Sequence, residues 1–190
     1  MLVSREYVAE YRRAQRNVGD LVVRDLQKFW GTLDLGRPDA ARNALLAFVP
    51  ELTTKYGVAA ATVAADWYDS VRADMKVRGR FAARMADPFP AVAVQNRVRY
   101  GAQHLYGPEP GGMLPFLAGA VHEYALQPGR DTVRLSSVAD PASAGWARST
   151  SGNACEFCEM LAGRGAVYSE DTADFEAHGH CNCVAVPVWQ

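Results

Sequence analysis

The chain has 190 residues, of which 49% are apolar and 22% are charged, an ordinary composition for a globular protein with one sizeable domain. The formal net charge of −1 excludes a protein that binds nucleic acid through its overall charge. No apolar run approaches the roughly 20 residues that cross a bilayer, and the N-terminal stretch lacks the apolar segment of a secretory signal. We therefore expect a protein in a reducing cytoplasm, where paired cysteines indicate metal or redox chemistry before structural disulfides.

Apolar residues at steps of three and four predict a helical body over residues 1–126. The first helix carries its apolar stripe at Tyr7, Tyr11 and Val18. The second begins at Pro38, a residue suited to the first helical turn, and Pro50 is expected to break or restart it. The predicted helices run from about 4 to 30, from 38 to the break at 50, from 51 to about 84, from about 92 to 106 and from about 113 to 126.

Turn-forming residues replace helical periodicity from Gln127 onwards. Pro128-Gly129 and Asp140-Pro141 are turn signals, and Thr132–Ser136 is expected to be a short strand or an irregular lead-in. We therefore predict that residues 127–144 form a linker between the helical body and a compact C-terminal module at residues 145–190. The tail from Val184 to Trp189 is strand-like.

Charge is uneven along the chain. Seven basic residues lie between Arg72 and Arg99 against two acidic ones, whereas residues 151–190 hold one basic residue against six acidic ones. The basic stretch could contact a DNA backbone or an acidic partner, or it could be a solvated face that pairs with the acidic module of the same chain. No aromatic residues interleave with it in the manner of single-strand binding.

All four cysteines and two of the four histidines lie in the last 36 residues. Cys155-x-x-Cys158 is the spacing at which two thiolates in a tight turn reach one metal ion, and two further pairs repeat that spacing with histidine in first place. The preferred set is Cys155, Cys158 and His178 with one or both of the last two cysteines, and His180 is an alternate ligand or a donor behind the ligands. The candidate metal ligands are Cys155, Cys158, His178, His180, Cys181 and Cys183.

Mixed thiolate and imidazole donors favour zinc, and a closed set of four would make one structural zinc site. A module of this size has few large apolar residues, and a structural metal is a known remedy for a small core. The alternatives left open are a redox Cys-x-x-Cys pair, disulfides in an oxidising setting, a Cys/His protease and a serine protease that uses Ser136 or Ser137 with His122. No second histidine completes a His-Glu-x-x-His motif at His122.

Three runs resemble the C-terminal signature of the phage minor head proteins related to Mu protein F. The runs are Gly145–Arg148, Ala154–Tyr168 and His178–Val188. They are most similar to the actinobacteriophage branch named VG15-like or "capsid maturation protease". The resemblance implies a virion head component, present in several copies, that is made in the host cytoplasm and recruited near the portal during procapsid assembly.

The expected fold is mainly α, with a multi-helix N-terminal body of long amphipathic helices and a small C-terminal zinc-knuckle α+β module. The expected function is binding and assembly, with a portal, scaffold or major capsid protein as partner and packaged DNA as a further partner of the Arg72–Arg99 region. The alternatives are a capsid maturation protease that cleaves head proteins and a zinc protein that binds nucleic acid.

Overall fold

A computed structural model describes residues 1–150, 154–165, 175 and 177–190. This part of the chain is mainly α-helical, as the sequence predicted, and it carries one two-stranded antiparallel sheet. None of its helices combines the length and the apolar character that a membrane crossing requires. The elements are α1 (Arg5–Trp30), α2 (Pro38–Asp74), α3 (Ala91–Gly101), two 3-10 turns (Ala102–Tyr106 and Pro110–Gly112), α4 (Met113–Ala139), β1 (Ser143–Ser149), α5 (Glu156–Gly163) and β2 (Val184–Trp189).

Helix α1 confirms the predicted first helix. Ser4 precedes it with extended backbone, and its hydroxyl accepts a hydrogen bond from the N–H of Tyr7. One face of the helix packs inward, as the apolar stripe predicted, and it includes Gln15, whose amide donates to the carbonyl of Ala60 on α2. The buried residues of α1 are Val8, Tyr11, Gln15, Val18, Gly19, Val22 and Leu26.

The predicted break at Pro50 is wrong, because α2 continues through this residue. Proline removes one backbone N–H from the helix. Pro50 is nevertheless buried, and Thr53 donates its hydroxyl to the carbonyls of Val49 and Pro50 at 3.1 and 2.9 Å. Packing of α2 against α1 and α4 therefore outweighs the local preference of proline.

The predicted end of this helical stretch at about Arg84 is also wrong, since α2 ends at Asp74. Lys76 and Gly79 have φ angles of 53° and 83°, which turn the chain out of the helix. Residues 75–90, called the strap below, then cross α2 and α4 without helical structure. The guanidinium of Arg72 holds this turn by donating to the carbonyls of Arg78 and Gly79, both at 2.9 Å.

Helix α4 runs to Ala139, so the predictions that it ends at Leu126 and that Thr132–Ser136 forms a strand or lead-in are wrong. The turn-forming residues Pro128 and Gly129 lie inside α4, where both pack closely against neighbouring helices. The Pro128 ring lies against Gly57 of α2, where an added Cβ would come within 3.2 Å. A Cβ on Gly129 would come within 2.8 Å of the Gln15 side chain. Small residues at these points let α1, α2 and α4 approach each other closely.

Strand β2 confirms the predicted C-terminal strand. It pairs with β1, which follows directly after α4. The register places Trp146 opposite Pro187 and Ala147 opposite Val186. The first residues of the chain extend the sheet beyond β2, because the N–H of Trp189 donates to the carbonyl of Met1 at 3.1 Å. The two ends of the chain therefore meet in one sheet.

Buried apolar residues form two clusters. The first contains residues of α1, α2, α3 and α4. The second joins Tyr68, Val71 and Val133 of the helices to Trp146 and Trp189 of the sheet, and it also contains Cys158, Cys181 and Cys183. The division into a body, a linker and a module at residues 145–190 stays a prediction, and the second cluster bears on it because both predicted parts contribute to one core.

Asp140, at the end of α4, is the polar centre of this second region. Its carboxylate accepts hydrogen bonds from Arg72 Nε at 2.8 Å, from Trp189 Nε1 at 3.0 Å and from the Tyr68 hydroxyl at 3.2 Å. Its side chain is fully buried, and that of Arg72 is 9% exposed. Burial acts to raise the pKa of Asp140, but the hydrogen bond from Arg72 and those from Ala142 and Trp189 outweigh it and hold the pKa below its usual value. One carboxylate thus ties α2, α4 and β2 together.

Replacing Asp140 by Asn is expected to lower the free energy of unfolding by about 3 kcal/mol, because Arg72 would remain as a buried charge without its partner. Urea denaturation followed by circular dichroism measures this loss. Asp39→Asn is the control, since its carboxylate is 76% exposed and faces Arg42 at 3.4 Å. The control should cost less than about 1 kcal/mol. Equal losses in the two variants would contradict a central role for Asp140.

Candidate metal centre

Five of the six predicted ligands come together at the C-terminal side of the molecule. Cys155 and Cys158 lie at the start of α5, and His178, Cys181 and Cys183 lie on the segment that leads into β2. Two groups share Cys158, one with Cys155 and His178 and the other with Cys181 and Cys183. Within each group all ligand atoms lie within 4.8 Å of one another. The cluster could therefore hold a metal ion.

The Cys158–Cys181 distance matches a tetrahedral zinc site, and the Cys155–His178 distance is about 0.4 Å shorter than such a site requires. Cys155 Sγ lies 3.1 Å from His178 Nε2, and Cys158 Sγ lies 3.8 Å from Cys181 Sγ. With zinc–sulfur bonds of about 2.3 Å and zinc–nitrogen bonds of about 2.0 Å, tetrahedral donors are separated by roughly 3.5 to 3.8 Å. All four cysteines are free thiols, so no disulfide competes for the cluster. The residues thus offer five suitable donors for four positions.

His180 is placed differently from the other predicted ligands. It belongs to neither ligand group, and its backbone takes a left-handed φ of 62°. Its ring lies against Gly119 of α4, and the ring centroid is 5.6 Å from that of His122. The structure therefore does not bring His180 to the five donors, and its role as a ligand stays a prediction.

Two of the thiols are held in surroundings that favour the thiolate. Hydrogen bonding by the Cys183 thiol and its N–H, together with the positive charge of Arg130, lowers the pKa of Cys181 to about 5. The backbone N–H of Cys158 and the imidazole of His178 lower the pKa of Cys155 to about 7. Burial instead raises the pKa of Cys158 to about 11. A bound cation would favour the thiolate at this buried sulfur as well.

Arg130 lies beneath the cysteine segment and was not predicted as part of the site. Its side chain is almost completely buried, and it donates from Nε to the carbonyl of Cys183 at 3.2 Å and from Nη2 to the carbonyl of Cys181 at 2.5 Å. Among the described residues no carboxylate pairs with it, and its Nη1 has no hydrogen-bond partner. A buried cation without an opposite charge costs several kcal/mol, which an anionic metal–thiolate cluster would offset.

A second buried arginine lies on the other side of the cluster. The guanidinium carbon of Arg148 is 3.8 Å from the ring centroid of Phe175, and its Nη1 is 3.9 Å from Cys158 Sγ. Arg148 comes from β1, whereas Arg130 comes from α4. Positive charge therefore approaches the sulfur atoms from two elements of the fold, as expected around a negatively charged centre.

The loop between His178 and Cys181 is fixed against α4 by a contact between two glycines. A Cβ on Gly179 would lie 3.1 to 3.2 Å from the Cα, carbonyl carbon and oxygen of Gly119. All three atoms belong to the helix backbone, so none of them can move aside easily. Sequence reasoning missed the role of Gly179. The one sequence feature that points to this glycine is its position between two candidate ligands, His178 and His180.

The serine protease arrangement that the sequence left open, Ser136 or Ser137 with His122, is not assembled. Ser136 lies 14 residues after His122 on the same helix, which places it about 21 Å away along the axis. Its hydroxyl accepts a hydrogen bond from the N–H of Arg84, and that of Ser137 donates to the carbonyl of Val133. Burial lowers the pKa of His122 to about 4, so its ring is neutral at physiological pH.

Matched substitutions of the two histidines test the ligand assignment. His178→Asn is expected to weaken zinc binding at least tenfold, because it removes a donor from the cluster. His180→Asn should leave zinc affinity within twofold of the parent, since asparagine tolerates a left-handed backbone and the ring is outside the cluster. Zinc affinity is measured by competition with a chromophoric chelator. A larger loss in His180→Asn than in His178→Asn would contradict the assignment.

Gly179→Ala tests the contact with α4 without changing a ligand. We expect a loss of about 1 to 3 kcal/mol in the free energy of unfolding, because the new methyl group meets helix backbone. Gly163→Ala is the control, since nothing lies within 4 Å of its added Cβ, and it should be neutral or slightly stabilising. Chemical denaturation measures both variants. A neutral Gly179→Ala would show that the loop does not rest on α4.

Comparison with known proteins gives one family. The family model described as VG15 protein matches residues 2–190. No curated protein and no solved structure matches the chain significantly. The match covers nearly the whole chain, both the helices and the Cys/His segment. The chain belongs to the VG15 protein family, which is associated with bacteriophages.

Proposed function

We propose that this chain is a minor component of the phage head that acts by binding and assembly at the portal or procapsid. One zinc ion, bound by four of the five clustered donors, gives its C-terminal part a fixed shape. Family membership supports the phage setting. The observation that carries the structural role of the zinc ion is the position of the cluster, because three of its sulfur atoms belong to residues of the core.

Burial of three of the five donors favours a structural ion over a catalytic one, although Cys155 and His178 are exposed. Cys158, Cys181 and Cys183 are at most 4% exposed and pack in the same cluster as Trp146 and Trp189. The neighbouring cavity of about 500 Å³ is lined by other side chains, among them Glu123, Gln127 and Asp131, and by none of the five donors. A catalytic zinc ion needs an open position that a substrate or water can reach, whereas a structural one is closed.

Assembly then depends on the surfaces that this core holds in place. Zinc would join α5 to the segment before β2, and β2 is paired with both β1 and the first residues of the chain. The long helices α1, α2 and α4 provide the faces that dock on a portal, scaffold or major capsid protein. The protein would be made in the host cytoplasm and then enter the virion head in several copies.

Incorporation into heads tests this proposal. A phage that lacks the gene is complemented with the parent protein or with Cys158→Ser, and purified procapsids and virions are quantified by mass spectrometry. We expect several copies of the parent protein in each head. Cys158→Ser should be incorporated at less than a tenth of that level, and His180→Asn, as the control, near the parent level. Normal heads that contain none of the parent protein would overturn the proposal.

One observation favours the capsid maturation protease as a second candidate. Cys155 Sγ lies 3.1 Å from His178 Nε2, and the other ring nitrogen of His178 lies 3.0 Å from the carbonyl oxygen of Gly179. A nucleophile, a base and a group that orients the base have this arrangement in cysteine hydrolases. The same sulfur and nitrogen atoms are zinc donors, so a zinc-bound cluster would leave no free nucleophile.

Chelation separates the two candidates. The purified protein is incubated with head and scaffold proteins, with and without a zinc chelator, and the products are resolved by mass spectrometry. We expect no cleavage under either condition. Cleavage that appears after chelation and is absent from Cys155→Ser would instead support the protease.

A further inference from the structure

The strap at residues 75–90 is held to the helices through its backbone. The N–H groups of Ala83, Arg84 and Ala86 donate to Asp69 Oδ1, Ser136 Oγ and Thr132 Oγ1, at distances between 2.9 and 3.0 Å. Before this point, the carbonyls of Arg78 and Gly79 are bound by Arg72. The strap is therefore a fixed platform although it has no regular secondary structure.

Anchoring of the backbone separates the strap into an inward and an outward face. Phe81 packs inward against Tyr68 at a ring distance of 5.9 Å, and Ala83 packs on the second core cluster. The charged residues between and beside them stay exposed. The outward basic residues are Lys76, Arg78, Arg80 and Arg84.

These four cations have no described acidic partner. No ion pair within the described part of the chain includes any of them. The strap contains four basic residues and one acidic residue, Asp87, so its net charge is +3 in a chain whose total is −1. Pairing with the acidic module of the same chain was one expectation for the basic stretch, and among the described residues no ion pair joins the two. Arg72 pairs instead with Asp140 at the end of α4.

We propose that the outward face of the strap binds double-stranded DNA through its phosphates, without reading base sequence. The eight residue steps from Lys76 to Arg84 span at most roughly 28 Å, a length over which a DNA strand presents several phosphates. Because the strap is already fixed, binding orders the side chains alone and not a flexible loop. The strap offers neither a helix for the major groove nor an exposed aromatic ring for base stacking, so its contacts are electrostatic.

This proposal rests on the proposed function for the source of the polyanion, since packaged DNA is the polyanion of a phage head. Its test uses purified protein and is independent of incorporation into heads. Fluorescence anisotropy with a labelled 20-base-pair duplex is measured over a series of salt concentrations. We expect the logarithm of the binding constant to fall against the logarithm of salt concentration with a slope of about −3 to −4, which corresponds to about four neutralised phosphates.

Two triple variants with equal loss of charge locate the binding face. Arg78→Gln/Arg80→Gln/Arg84→Gln should weaken binding at least tenfold at low salt and reduce the slope to about −1. Arg13→Gln/Arg16→Gln/Arg24→Gln changes three exposed arginines of α1 and should bind DNA within threefold of the parent. Circular dichroism confirms that both variants fold. Equal weakening in the two variants, or absence of salt-dependent binding by the parent, would overturn the proposal.

A polyglutamate peptide tests the competing partner, an acidic protein. The parent should bind the peptide at least tenfold more weakly than the duplex at equal salt. Tight binding of the peptide without binding of the duplex would assign the strap to an acidic protein surface and overturn the DNA proposal. Absence of DNA binding by the parent protein, together with its normal incorporation into heads, would refute this inference and leave the proposed function intact.

Discussion

The C-terminal part of this protein depends on balancing the charge of Arg130. A guanidinium in the core is expensive unless an opposite charge lies close to it. The described structure supplies backbone carbonyls and sulfur atoms, but no carboxylate. Thiolates are the available anions, and a metal ion holds several of them deprotonated together. The zinc proposal therefore rests on the chemistry of the surrounding core as well as on the spacing of the ligands.

At the other end of the same core, Asp140 balances the charge of a second buried arginine, Arg72. It offers one buried carboxylate to Arg72, Tyr68 and Trp189, and so fixes β2 to the helices independently of any metal. The chain ends meet beside it, where Trp189 donates to the carbonyl of Met1. A candidate metal-binding cluster and a buried ion pair thus lie on the two sides of a small sheet that shares its core with long helices. In the proposed function, the head proteins bind to the helix surfaces that this core holds in place.

Sequence periodicity predicted the helical class, α1 and the last strand, because these depend on apolar residues at regular spacing. It failed where local signals conflicted with packing. Pro50 and Pro128 lie inside helices because small residues such as Gly57 and Gly129 let three helices approach closely. The end of α2 was placed about ten residues too late, because the sequence has its proline stop signals at Pro88 and Pro90, whereas the chain already turns at Lys76 and Gly79.

Ligand spacing identified five donors that do come together, and this is the part of the site that local sequence can encode. It could not separate His178 from His180, because both repeat the same spacing and only the contact of Gly179 with α4 turns one ring away. Arg130 lies in the predicted linker. Its role arises from contacts with residues that are more than fifty positions away in the sequence. Long-range placement of this kind has no local sequence pattern.

X-ray absorption at the zinc edge of the parent protein, purified without chelator, tests whether the clustered thiolates bind a structural zinc ion. We expect a four-donor shell dominated by sulfur at about 2.3 Å, with one nitrogen at about 2.0 to 2.1 Å from His178. A folded protein that contains no zinc, or a zinc ion surrounded only by oxygen and nitrogen, would contradict it.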